Sequence, residues 1–198
     1  MRYGALTIDV DTLNCYYNTY GIEEQENNRE DVIFTKALPR FLDLFEELGI
    51  KATFFVVGKD ATKKCNKPIL KRLNEEGHEI ANHSMNHIHQ FSDISKKEKS
   101  NEIMISHKVL KKYSEFPIVG FRTPGYDIDE ETIHILDENG YKYDSSINPT
   151  FLSPLIKLKV MSLSNWKNKS NGMGKLSYMF SPCNPYHPKT NSIRKGGE

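Results

Sequence analysis

The chain is 198 residues long, 37% hydrophobic and 27% charged, with a net charge of +1. That length and mix fit one globular domain around a single core and exclude a disordered tail or a membrane-embedded chain. The near-neutral balance excludes strong nonspecific attraction to nucleic acid. Three cysteines, Cys15, Cys65 and Cys183, are scattered without a CxxC pair, which argues against a disulfide framework and against a cysteine-ligated zinc site.

No apolar run approaches the length of a bilayer span, so no membrane span is expected. Met1-Arg2-Tyr3 leads almost directly into a strand-like segment over 5–10 rather than a cleavable leader, which makes a cytoplasmic protein the expectation. Charge is unevenly spread: residues 1–150 hold 19 Lys/Arg against 25 Asp/Glu, and residues 151–198 hold 8 against one. With five prolines from Pro149 onward and weak periodicity, 148–198 reads as a basic, proline-rich segment. It is taken as part of the same domain as the core over 1–147, cut short. Lys157, Lys159, Lys167 and Lys169 read as a solvated basic surface.

Strand and helix signals alternate through the first 146 residues. The apolar segment over 5–10 ends on two aspartates and is followed by a polar stretch over 14–30. Leu38, Leu42, Phe45 and Leu48 then form one helical face, with Thr35 as the expected N-cap, Pro39 near the first turn and Gly49 as the stop. ATFFVV over 52–57 is a second strand. Pro68 opens a short helix through Leu70 and Leu73 that Gly77 ends, and 79–81 is a third strand. Ser95 caps a long helix carrying Ile103, Val109 and Leu110. A fourth strand covers 118–121, and Asp129 caps a helix through Ile133 and Leu136 that Gly140 stops. A fifth strand begins over 141–143. The alternation predicts an α/β fold of parallel βαβ units.

In parallel sheets and barrels, functional residues gather beyond the C-terminal ends of strands, and the polar clusters fall there. Asp9 and Asp11 end the first strand, and in a regular strand they share one side. His83 and His87 follow the third strand and would share a face if the segment coiled as one helical turn. Arg122 follows the fourth strand and Asp144 the fifth. Asp11, His83 and His87 offer one oxygen and two nitrogens to a divalent metal, leaving coordination positions open for chemistry. Of the two aspartates, one can bind metal while the other serves as a base, with Arg122 keeping the second ionised and oriented. For each group a plain structural role stands beside the chemical one. The aspartates could cap a loop, the histidines could face water, and Arg122 could be an ordinary ion-pair partner. Asp144 reads equally as a substrate-side or a loop-capping residue. His78 is expected to pack at a strand edge, and His89 to lie outside the site.

Thr7-Ile8-Asp9-Val10-Asp11, His83-Ser84-Met85-Asn86-His87 and Arg122-Thr123-Pro124-Gly125, in this order, resemble the motifs of the polysaccharide deacetylases of the NodB-homology superfamily (carbohydrate esterase family four). Gly49-Ile50-Lys51-Ala52-Thr53-Phe54-Phe55-Val56, the run over 77–84 and YKYDSS over 141–146 support the likeness. One residue between the aspartates points to the branch of cytoplasmic deacetylases related to peptidoglycan deacetylase and to metal-independent allantoinases. The resemblance implies an irregular (β/α) barrel of the NodB-homology type, incomplete at its C-terminus. It implies Asp9 as general base, a divalent metal (zinc) on Asp11, His83 and His87, and Arg122 orienting Asp9. The backbone N–H near Gly125 or Tyr126 would hold the oxyanion. The implied reaction is hydrolysis of an N-acetyl or O-acetyl group from a sugar or oligosaccharide of a surface or cell-wall glycan. The family's later motifs, including its acid histidine, have no counterpart around Trp166 or His187. The sequence therefore leaves open a metal-independent allantoinase-like amidohydrolase and a non-catalytic glycan-binding relic, and it leaves a homo-oligomer open as well.

Overall fold

Strands β1 (Thr7–Val10), β2 (Thr53–Val56), β3 (Glu79–Asn82), β4 (Gly120–Phe121) and β5 (Tyr143–Asp144) form one parallel sheet whose spatial order equals the chain order. The computed structural model describes residues 4–20, 31–149, 152, 178, 180–189 and 192–195. Thr7 pairs with Thr53 and Thr53 with Glu79, so the first three strands start level and their C-terminal ends face the same way. Each step from strand to strand is a helical crossover, the arrangement the alternating sequence predicts.

The helices are α1 (Leu13–Tyr20), α2 (Leu38–Leu48), α3 (Gly58–Thr62), α4 (Lys67–Glu75), α5 (Lys96–Leu110) and α6 (Glu130–Glu138). α2 buries Leu38, Leu42 and Phe45 against the sheet. Leu48, expected on the same face, is 57% exposed. At about 100° per residue it lies roughly 90° from the centre of that stripe, at its margin. The start of this helix also differs from expectation. Thr35 is not its N-cap, because a wide π-helical turn (Ile33–Ala37) runs directly into α2. Asp31 does the capping: its carboxylate accepts the Ile33 N–H at 3.2 Å, and its carbonyl accepts both the N–H and the hydroxyl of Thr35 at 2.9 Å. The wide turn precedes Pro39, which has no N–H to give to a regular helix. Gly49 ends α2 as expected, at φ 64°, with its N–H on Glu46 O and the Ile50 N–H on Phe45 O.

Ser95 and Glu98 close a reciprocal capping box on α5, and the Asp129 side chain accepts the Thr132 N–H at the start of α6. From Asn14 on, α1 falls within the polar stretch over 14–30, where tyrosines and asparagines present no clear apolar face in the sequence. Phe54, Val56, Ile80, Phe91, Ile103, Leu110 and Phe121 centre the core between sheet and helices. The basic, proline-rich C-terminal segment, with its weak periodicity, contains a short antiparallel pair, β6 (Pro188–Lys189) and β7 (Ser192–Lys195). Ile193 packs against the core, and Tyr178 is buried with its hydroxyl donating to Ile128 O. The four lysines read as basic surface lie outside the described residues. Among the described residues no helix is long and apolar enough to cross a membrane.

Candidate active site

The parallel sheet delivers the expected residues to one end. Asp9 sits on β1, Asp11 just past it, His83 one residue beyond β3 and Arg122 one residue beyond β4. His83 and His87 do not lie on a helical turn, the condition under which their spacing would set them on one face. The loop reverses on itself instead, with Ser84 at φ 62° and His87 at φ 56°, an uncommon backbone region for residues other than glycine. The Asn82 side chain accepts the Ser84 N–H at 3.0 Å and the Ser84 hydroxyl accepts the His87 N–H at 3.1 Å. Gly58 and Lys59 donate to the carbonyls of Ser84 and Met85 at 2.9 and 2.8 Å.

This fold of the loop turns both imidazoles onto Asp11. Asp11 Oδ1 lies 3.4 Å from His83 Nε2 and 3.1 Å from His87 Nε2, and the donor atoms of the three residues all fall within 4.8 Å of one another. His83 Nδ1 is 2.8 Å from the carbonyl of Arg122. With the proton on Nδ1, that bond leaves the Nε2 lone pair toward Asp11, the way second partners orient metal-ligating histidines. Asp11 Oδ1 and His87 Nε2 are buried without a hydrogen bond of acceptable geometry. Burial alone would depress His87, but the Asp11 carboxylate and Cys15 beside it carry it up to about 10. Burial would likewise raise Asp11, yet the two imidazoles hold it well below the usual carboxylate range. Buried donors without good partners, in a field that favours positive charge, fit a divalent cation, and a nitrogen–nitrogen–oxygen set suits zinc.

Asp9 faces a different environment. Its Oδ1 accepts from Arg122 Nη1 at 2.5 Å and its Oδ2 from the Tyr126 hydroxyl at 3.3 Å. Arg122 is nearly buried and further donates to Ser145 O at 3.0 Å, Ser145 Oγ at 2.7 Å and Thr7 Oγ1 at 3.0 Å, while its guanidinium lies 4.1 Å over the Phe55 ring. Thr7, Phe55 and Ser145 were not singled out by sequence reasoning. All three stand inside motif segments without a role of their own: Thr7 two residues before Asp9, Phe55 in the run over 49–56 and Ser145 in YKYDSS over 141–146. Gly125 at φ 66° and Tyr126 at φ 58° make the turn after Arg122, and the Tyr126 N–H is engaged with Thr123 O at 3.3 Å. Gly125 is therefore the better placed of the two to offer an N–H.

Asp144 is a loop-capping residue. Its carboxylate accepts the Ser146 N–H and hydroxyl at 2.9 and 2.5 Å, and Ser146 Oγ accepts the Thr123 N–H at 2.8 Å, tying β5 to the turn after Arg122. Burial pushes this carboxyl up to about 6. His78 is buried at the opposite end of the sheet, accepting the Ala52 N–H at 3.1 Å and packing on Phe45 and Phe54. His89 stacks edge-on to His87 at 4.8 Å, is held near 4 by burial and the neighbouring imidazoles, and is not among the converging donors. His187 is exposed, and Trp166 lies outside the described residues.

A parallel βα sheet that gathers Asp, His, His and Arg beyond its strand ends places the chain in the class of βα folds whose functional residues lie at the C-terminal ends of the strands. The chain belongs to the polysaccharide deacetylase family: the family profile matches residues 29–143, which include the histidine loop and the Arg122 turn but begin after β1. It is 35% identical over 104 residues to a peptidoglycan-N-acetylglucosamine deacetylase of Bacillus cereus, covering 52% of this chain and 47% of that protein. It is 24% identical over 152 residues to a peptidoglycan deacetylase of Helicobacter pylori, covering 76% of this chain and 51% of the relative. A solved Mycobacterium smegmatis structure assigned as a polysaccharide deacetylase superposes with a TM-score of 0.59 at 25% identity, over 72% of this chain and 50% of the other. The chain thus spans about half the length of the curated relatives it matches. The α/β fold is of the NodB-homology (β/α)-barrel type.

Proposed function

We propose that the protein is a metal-dependent sugar deacetylase that hydrolyses an N-acetyl (or O-acetyl) group of a cell-wall or surface glycan, with N-acetylglucosamine units the first substrate class to test. The observation that carries this reading is the convergence of Asp11, His83 and His87 within 4.8 Å of one another, beside an Asp9 held by Arg122. Asp11, His83 and His87 would hold the metal, zinc by their donor types. A divalent ion there supplies Lewis acidity toward an acyl carbonyl and toward water.

The chain's own groups supply the rest. Asp9 accepts the proton of the attacking water, its carboxylate aimed by Arg122 on one oxygen and touched by Tyr126 on the other. Arg122 acts by position, since its four hydrogen bonds and its seat on Phe55 leave the guanidinium little freedom. The Gly125 N–H offers a donor where negative charge develops on the acyl oxygen. The relatives are named as deacetylases of peptidoglycan, and this sets the substrate class to try first. On the same reading residues 1–147 are the catalytic core and 148–198 belong to the same domain, supported by the packing of Tyr178 and Ile193 on that core.

The test is acetate release from N-acetylglucosamine oligomers and peptidoglycan fragments, with zinc supplied and with zinc chelated, for the wild type and His83→Ala. Activity that needs zinc and is lost in His83→Ala is expected. Activity indifferent to chelation and to His83→Ala would sink the metal reading, and a zinc-loaded protein that releases no acetate would sink the deacetylase reading.

A further inference from the structure

The loop that carries both histidines is shaped by a side chain that touches neither of them. Glu102, in the middle of α5, is 6% exposed. Its Oε2 accepts the Met85 N–H at 3.0 Å and the Asn86 N–H at 2.8 Å, and its Oε1 accepts from Asn86 Nδ2 at 2.5 Å. None of the ion pairs among the described residues includes it: Lys99, three residues earlier on α5, is committed to Asp129 and Glu131. A buried carboxylate satisfied by amide donors rather than by a cation is expensive to desolvate, so its position requires a use.

The backbone supplies the use. Met85 and Asn86 lie between the two positive-φ residues of the loop, Ser84 at 62° and His87 at 56°. Their consecutive N–H groups form a small concave nest that needs an anion, and the Glu102 carboxylate fills it. The facing carbonyls of Ser84 and Met85 are held separately, by Gly58 and Lys59 at the start of α3. α3 and α5 pack on each other and α5 packs on β3, so the loop is clamped from both sides. Without the carboxylate, the Met85 and Asn86 N–H groups lose their acceptor on α5, and the two positive-φ residues that flank them, His87 among them, are held less firmly.

We infer that Glu102 is a positioning residue for the metal centre, holding the 84–87 backbone in the one shape that brings His83 Nε2 and His87 Nε2 together on Asp11. The inference rests on the metal reading proposed above. Glu102→Gln keeps size and one acceptor oxygen but turns the other into a donor, which cannot meet all three N–H groups. Second partners of this kind set metal affinity by about 10–100-fold.

The experiment measures zinc affinity of the full chain by competition with a chromophoric chelator, and the visible spectrum of the cobalt-loaded protein as a report on ligand geometry. Glu102→Gln should weaken zinc binding by about 10–100-fold and alter the cobalt spectrum, while Ile103→Val, a mild core change on the same helix, leaves both unchanged. Asn86→Asp is the second variant: residue 86 is exposed, so the fold is not threatened, and it sets a like charge against Glu102. It should weaken zinc at least tenfold, on the same second-partner scale, and it decides the matter if Glu102→Gln does not fold. Wild-type affinity and spectrum in folded Glu102→Gln, or in Asn86→Asp, overturn the inference. A wild type that binds no zinc, or binds it equally in His83→Ala, overturns the underlying metal reading instead.

Discussion

Replacing Arg122 by lysine keeps the charge at the end of β4 and removes the planar fork, and the contacts of Arg122 set how much should be lost. The guanidinium serves Asp9 at 2.5 Å, Thr7 Oγ1 at 3.0 Å, Ser145 O at 3.0 Å and Ser145 Oγ at 2.7 Å, and covers Phe55 at 4.1 Å. A lysine ammonium carries its donors on a single atom, so once drawn to Asp9 it leaves the Thr7 and Ser145 acceptors without a partner. Two to three such bonds at about 1 kcal/mol each, with roughly 1 kcal/mol of stacking, give a destabilisation of about 3–4 kcal/mol. At about 2–4 °C per kcal/mol for a chain of this size, thermal unfolding should fall by roughly 6–16 °C. The catalytic effect is separate. Asp9 loses the fork that aims it, and a displacement of about 1 Å in a reacting group costs on the order of 100-fold in rate. Bound zinc should not change, because the hydrogen bonds of the Arg122 side chain go to Asp9, Thr7 and Ser145, and it is the Arg122 backbone carbonyl that holds His83. Thermal unfolding, acetate release and metal content would be measured together on Arg122→Lys. Wild-type melting and wild-type kcat would refute both halves of the reasoning. A lower melting temperature with unchanged kcat would keep the packing account and remove Arg122 from the orientation of Asp9.

Two further expectations separate neighbouring carboxylates. Asp9→Asn should retain zinc and lose turnover by about 100-fold or more, because an amide cannot accept the proton, whereas Asp11→Asn should lose zinc; metal analysis beside acetate release checks both, and the opposite pattern would exchange the two roles. Asp144 should make stability depend on pH. Burial lifts its folded pKa to about 6, above the unfolded value of 3.8, so its contribution is full below the unfolded value and is lost as pH rises through about 6. The loss amounts to at most about 3 kcal/mol, by the usual conversion of pKa shift to free energy. Urea unfolding in mildly acidic and in slightly alkaline buffer should therefore favour the wild type over Asp144→Asn more at the acidic end, and a difference independent of pH would be fatal to this account.

What was legible in the sequence depended on how local the cause was. The Ser95 cap, the Asp129 cap and the left-handed Gly49 each act within a few residues, and each stands where the sequence placed it. The cap of α2 was misplaced because Thr35 is a good cap by type, while the donor that mattered was on Ile33 and Asp31 was nearer to it. Asp9, Asp11, His83, His87 and Arg122 were recognisable because their side chains have few uses together and strand ends are where they would meet. Their arrangement was hidden, since the histidine loop is not a helical turn and nothing in Ser84 or His87 as residue types announces a positive φ. That shape comes from Asn82, Gly58 and Glu102, and the Glu102 contacts span 16 and 17 residues of chain. The fork of Arg122 likewise closes on Thr7 and Asp9 across more than a hundred residues. Residue type therefore announces which groups do chemistry, because chemistry restricts type. Support is supplied by whichever buried carboxylate, amide or hydroxyl the fold brings alongside, and many types would serve, so it becomes visible only once the sheet has aligned its strand ends. The same asymmetry explains why the tests that separate base from ligand can be designed from the motifs alone, whereas those on Glu102 and Asn86 required the loop itself.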